Sequence, residues 1–147
     1  MNLVNTFLLL CLAGLITGCT QTTPTPQITI NNPAQSSFAI DIANTPETRK
    51  TGLMFVEKLT TNKGMYFIFD QPKTRNFWMK NTLIPLDIIF ANNNTIISIQ
   101  ENVPPCQADP CPTYPSTAPA NQVLEINAGL SQKLNIKPGQ TWTLSKP

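Results

Sequence analysis

The sequence contains no histidine, and that absence removes a wide range of chemistry. A Ser-His-Asp triad, a Cys-His nucleophile pair and a histidine-ligated metal are all excluded within this chain. Charge is scarce as well. Asp, Glu, Lys and Arg together make up 12% of 147 residues, too few for a highly charged disordered tail. Ten basic against eight acidic side chains leave a net charge of +2, which argues against binding nucleic acid through a basic face. No internal repeat and no Cys-x-x-Cys pair is visible. Proline is plentiful, with 14 residues, and implies long stretches outside regular structure.

The first residues read as a processing signal. Residues 7–16 form a compact apolar run, in the length range of a secretory core segment and short of the ~20 residues that span a bilayer. Small residues follow, and Ile16-Thr17-Gly18-Cys19 resembles the bacterial lipoprotein box, in which cleavage leaves a diacylated cysteine as the new first residue. A signal peptide over residues 1–18 and lipidation of Cys19 are therefore expected, although the leader lacks the usual Lys or Arg. An uncleaved anchor and ordinary secretory cleavage are the alternatives. Cys11 lies inside the leader. Residues 19–36 are rich in Thr, Pro, Gln and Asn and read as a flexible tether, although Ile28 and Ile30 alternate with polar neighbours like the start of a strand. Thr20, and not Asp, follows the cysteine, which by resemblance to lipoproteins of two-membrane bacteria permits sorting to the periplasmic face of the outer membrane. The expected location is the cell envelope, with the membrane as a partner through the lipid on Cys19.

Residues 37–147 read as one β-rich domain of about 110 residues, enough for a single core. Phe38, Ile40 and Ile42 alternate along a half-buried strand. Thr45-Pro46-Glu47 opens a short helix, with a hydroxyl cap, proline at the first position and an acid in the first turn. Strands are expected over residues 64–69, 76–80 and 85–91, then an Asn92-Asn93-Asn94 turn into a hairpin partner over 95–100. A proline-rich loop spans residues 102–121. A strand over 122–126 follows, then a helix capped by Asn127 and a last strand over 140–144. Many short strands favour a compact antiparallel β-sandwich or barrel-like domain with two short helices.

Taken in order, Thr45-Pro46-Glu47 through Arg49, Gly52-Leu53-Met54, Gly64-Met65, Phe77-Trp78-Met79-Lys80-Asn81-Thr82, Pro85-Leu86-Asp87-Ile88 and Leu124-Glu125-Ile126-Asn127-Ala128-Gly129 resemble an exported family known as domain of unknown function 192. The resemblance covers residues 38–144. It implies a compact, mainly β fold in secreted or membrane-attached proteins, and no settled activity.

Among the candidate site residues, Cys106 and Cys111 are expected to form a disulfide outside the cytoplasm, worth about 2 kcal/mol in the chain-entropy model. On a strand through residues 76–80, Phe77 and Met79 face one way and Trp78 and Lys80 the other. A Trp beside a Lys suits stacking on a sugar, or an ammonium meeting a carboxylate or phosphate. The plainer reading is a lysine stem laid over an aromatic ring. Trp78, Lys80, Asn81 and Arg49 are the candidate ligand-binding residues. Asp87 interrupts an apolar run, so it either faces solvent or is buried with a partner. Arg49, Lys80 and the amide of Asn81 are candidates for that partner, and a Lys80–Asp87 contact is either a structural ion pair or a catalytic acid–base pair. Glu125 is expected to face solvent. Met54, Met65 and Met79 sit beside Leu, Phe or Trp and read as core filling, not copper ligands. No metal and no cofactor is expected, and the loop around Tyr114 is a candidate contact surface. The leading functional expectation is a lipid-anchored envelope protein that binds an envelope partner or a small or glycan ligand. The alternative is a hydrolase- or lyase-like enzyme on a cell-wall or sugar substrate, with Lys80 and Asp87 as catalytic pair.

Overall fold

A computed structural model describes residues 24–145. The expected signal peptide, Cys11 and Cys19 lie outside the described residues. Nine strands and two short helices follow one another: β1 (Gln27–Ile30), β2 (Ser37–Ala43), α1 (Pro46–Thr51), β3 (Lys63–Lys73), β4 (Asn76–Trp78), β5 (Leu86–Asn92), β6 (Thr95–Val103), β7 (Thr113–Pro115), β8 (Ala120–Asn127), α2 (Leu130–Lys133) and β9 (Trp142–Ser145). Seven strands make one curled, half-barrel sheet in the order β6-β5-β8-β3-β2-β1-β9, while β4 and β7 pair as a separate ribbon. The mainly β domain with two short helices is thus what forms.

Two expectations about its layout are corrected. β2 and β3 run parallel, not antiparallel, because the chain between them crosses over through α1 and a long loop instead of turning back as a hairpin. The span read as a flexible tether, residues 19–36, also contains a strand. β1 pairs with both β2 and β9, and Ile28 and Ile30 are fully buried, so their alternation is that of a core strand.

Local chemistry explains the elements that position the site. Thr45 caps α1 by accepting from the Thr48 amide at 3.2 Å while the Thr48 hydroxyl lies 3.0 Å from the Thr45 amide, a reciprocal box that satisfies two helix-end donors. The turn between β5 and β6 is Asn93-Asn94, both in the left-handed region, as a two-residue hairpin turn requires.

The sheet is covered on both faces, so the domain has two apolar clusters. One face buries Ile28, Phe38, Tyr66, Ile89, Leu124 and Trp142, with Tyr66 meeting Trp142 edge-on at 5.8 Å. The other buries Phe67, Leu86, Ile88, Phe90 and Val123 beneath Leu53 and Met79. Each fully buried side chain of this size contributes about 1.5–3 kcal/mol. The second cluster carries the site.

Candidate functional site

Strand alternation decides what faces this second cluster. On β8, Leu124 and Ile126 point into the first cluster and Val123 into the second, so Glu125 points into the second as well. β8 is a central strand between β5 and β3, with Glu125 opposite Ile88 and Met65. The expectation that Glu125 faces solvent is therefore wrong. Only 5% of it is exposed, because the β4–β7 ribbon and the loop after α1 roof over a face that a one-sided sheet would leave wet.

The roof is held down by Phe77, whose ring meets Phe67 edge-on at 5.0 Å and Phe90 at 5.7 Å. Met79 is buried beside it. The intervening Trp78 is 43% exposed, and the Lys80 ammonium lies 5.6 Å from its ring centre, within cation–π range. A small cavity of about 30 Å³ opens between roof and sheet, lined among others by Arg49, Gly52, Phe67, Trp78, Lys80 and Glu125. Among the described residues, no side chain or backbone group hydrogen-bonds the Glu125 carboxyl, and burial alone pushes its pKa up to about 8. At neutral pH this is a proton-bearing acid in a cleft.

Gly52 makes the close approach possible. It ends α1 at φ +48°, and a Cβ there would come 3.2 Å from Phe67 Cζ and 4.0 Å from Glu125 Oε2. Arg49 is fixed by its backbone neighbours. Its Nη1 donates to the carbonyls of Asn44 at 2.8 Å and Ile68 at 2.9 Å, and its guanidinium stands 5.1 Å from the Phe69 ring centre. Arg75 stacks on the same ring at 3.8 Å, where burial first, and Arg49 second, lower its pKa.

Three sequence-based assignments change. Asn81 does not line the cavity. Its carbonyl accepts from the Phe55 amide at 2.8 Å and its side-chain amide sits 3.9 Å from Met54 Sδ, so it ties the roof to the loop after α1. Phe55 and Leu83, beside that tie, are exposed at 66% and 53%.

Asp87 lies on the opposite face of the sheet from the cavity. It shares the parity of Ile89 and Ala91, which face the first cluster, and it is fully buried. Its carboxyl accepts from the amides of Asn102 at 2.8 Å, Gly129 at 3.0 Å and Ser131 at 2.8 Å, and from the Ser131 hydroxyl. It is paired with neither Lys80, Arg49 nor Asn81. The expected Lys80–Asp87 catalytic pair is not assembled, and Asp87 instead ties the end of β6 and the start of α2 to β5.

Asn127 caps no helix. Its amide donates to the carbonyls of Leu59 at 2.9 Å and Thr60 at 3.4 Å, pinning the crossover loop, while α2 begins at Gly129 without a side-chain cap.

Cys106 and Cys111 are joined in a disulfide. Cys106 packs on the second cluster and its amide donates to the Met79 carbonyl at 3.3 Å, and Thr113 of β7 stands opposite Trp78. The bridged loop therefore braces the strand that carries Trp78. Among the described residues no three His, Cys, Asp or Glu side chains come together.

A family model described as DUF192, Uncharacterized ACR, COG1430, matches residues 27–144. The chain belongs to the DUF192 family. The match takes in β1 and both clusters, and with them every residue of the cleft. Two solved structures resemble this DUF192 chain. One is a protein of unknown function from Novosphingobium aromaticivorans DSM 12444, 35% identical, with a TM-score of 0.74 over 80% of this chain and 83% of that one. The other, from Sinorhizobium meliloti 1021, is described as a "putative transcription regulator" and is 30% identical, with a TM-score of 0.73 over 84% of this chain and 95% of that one. No curated protein matches.

Proposed function

We propose that this DUF192 protein is a lipid-anchored component of the cell envelope whose β domain binds a small, glycan-type ligand in the cleft between Trp78, Lys80 and Arg49. The observation that carries this reading is the pairing of an exposed aromatic face with a buried acid that has no hydrogen-bond partner among the described residues. A half-exposed Trp beside a cation offers a flat apolar surface and a charge at one place, and the unpaired Glu125 beneath offers a hydrogen bond. Perturbed, desolvated acids in clefts mark sites of binding or catalysis. The regulator label on the Sinorhizobium protein finds no support in this chain's charge of +2.

The anchor rests on the run over residues 7–16 and the Ile16–Cys19 box. Replacing Cys19 by Ser should release the protein from the membrane fraction, and its persistence in the membrane pellet would count against the lipid. For the cleft, Trp142 is buried and Trp78 is exposed, so ligand stacking should alter the emission of Trp78 alone. Fluorescence titration of the full chain in detergent against cell-wall sugar fragments should show saturable change. The Trp78→Ala, Lys80→Ala double variant should abolish it, and an identical response from that variant would end the cleft reading.

An enzymatic role on a cell-wall or sugar substrate is the second reading. The acid would then be Glu125, since a proton-bearing carboxyl in a cleft suits general-acid work near neutral pH, with Lys80 as the neighbouring charge. Turnover of a bound fragment, lost in Glu125→Gln with binding retained, distinguishes it.

A further inference from the structure

We propose that the group this cleft takes in is a carboxylate, so that the ligand is a small sugar acid held between the Glu125 carboxyl and the Lys80 ammonium. The inference rests on the cleft reading above and narrows it to one ligand chemistry.

Three observations lead there. The first is the missing partner. Glu125 is 5% exposed and lines the cavity, yet none of the described residues hydrogen-bonds its carboxyl. Its carboxyl opens on the cavity, where a bound group can supply the missing hydrogen bond.

The second is the sign of the field. The charged groups around the cavity are Arg49 and Lys50 from α1 and Lys80 from the chain after β4. The neighbouring strands put Met65 and Ile88 opposite Glu125, which carry no charge. Burial keeps the proton on Glu125 until about pH 8, so at neutral pH the lining carries net positive charge, and Glu47, the carboxylate close enough to feel Arg49, lies outside that lining. Such a site attracts an anion and repels a cation. It presents to that anion an O–H donor, and an acid sharing its proton with a carboxylate makes one of the shorter and stronger hydrogen bonds.

The third is size. A cavity of about 30 Å³ holds two or three water-sized atoms, at roughly 10–15 Å³ each. A flat carboxylate fits that space. The remainder of the ligand must lie at the mouth, where the exposed Trp78 ring suits the C–H face of a sugar.

The test is calorimetric titration of the full chain in detergent with galacturonate, compared with galactose, galacturonate methyl ester and inorganic phosphate. Galacturonate should bind at pH 6, and about tenfold more weakly at pH 9, where most Glu125 has lost its proton. The three comparators should bind at least about tenfold more weakly at pH 6. Glu125→Gln keeps a donor and should retain binding while losing the pH dependence, and Glu125→Ala should lose it.

Equal affinity for the acid, the ester and galactose would overturn the carboxylate inference while leaving the cleft reading standing. Binding of galacturonate that survives in Trp78→Ala, Lys80→Ala would instead overturn the cleft reading. Tighter binding of phosphate, or no saturable binding of galacturonate at pH 6, also overturns the inference. The comparisons between ligands and between pH values use the wild-type chain, so they stand even if a Glu125 variant fails to fold.

Discussion

Replacing Asp87 by alanine strands four donors at once. The amides of Asn102, Gly129 and Ser131 and the Ser131 hydroxyl all end on this one carboxyl, which is buried beneath them. A hydrogen bond to a charged acceptor is worth about 1.5–3 kcal/mol. The four are not additive, because they share one acceptor and the end of β6 and the start of α2 relax into the gap, so the net loss should be about 3–5 kcal/mol. For a domain of this length that corresponds to a fall in Tm of about 10–20 °C. Asp87→Asn keeps one acceptor oxygen and should lose about half as much. Thermal unfolding followed by circular dichroism gives the Tm, and hydrogen exchange should show Asn102, Gly129 and Ser131 losing protection together. A double-mutant cycle with Lys80→Ala should show a coupling below about 0.5 kcal/mol, as for distant sites. An unchanged Tm in Asp87→Ala would refute the anchoring role, and strong coupling to Lys80 would restore the acid–base pair that the two faces of the sheet keep apart.

Other perturbations follow from the same geometry. The Glu125 pKa rises from 4.5 to about 8 on folding, so its neutral form contributes stability that is fully present below pH 4.5 and lost as pH climbs to 8. At about 1.4 kcal/mol per pH unit, wild type should lose about 3–5 kcal/mol across that window in urea unfolding. Glu125→Gln should flatten the profile, and an equally steep variant would show that another group is responsible. Gly52→Ala forces a side chain into φ +48° and against Phe67, which should cost about 1–3 kcal/mol and loosen the Arg49 end of the cleft, measured by Tm and by ligand affinity. Reducing Cys106–Cys111 should cost about 2 kcal/mol and raise exchange at Thr113 and Trp78, where the bridged loop braces the roof. The cluster around Trp142, on the far face, should be unaffected.

How far the residues could be read depends on where their partners come from. The α1 cap, the Asn93-Asn94 turn and the alternation of Phe38 and Ile40 are local signals, and each appears where its pattern puts it. The outward turn of Trp78 follows from strand parity once Phe77 commits to the core, whereas β4 stops at Trp78, short of the expected residue 80, and Lys80 joins it from the turn that follows. Glu125 was hidden because Leu124-Glu125-Ile126-Asn127 looks like a strand with one wet face. What buries it is a roof supplied by residues from positions 49–54 and 77–82, far away in the chain. Asp87 stood out as a charge in an apolar run, but its partners are backbone amides, and no side-chain pattern announces those. Asn127 likewise spends its amide on the carbonyls of Leu59 and Thr60. The parallel pairing of β2 with β3 was implied by the long crossover between them, a topological cue that strand counting alone passes over.

The account turns on Glu125 being a buried acid, without a hydrogen-bond partner among the described residues, under the Trp78–Lys80 roof. A ¹³C NMR titration that follows the Glu125 side-chain carboxyl in the ligand-free protein measures this directly. The account predicts a midpoint near pH 8. A midpoint at the ordinary carboxylate value of about 4.5 would mean that the group is hydrated or already paired, and the cleft would no longer have a reason to take in a ligand.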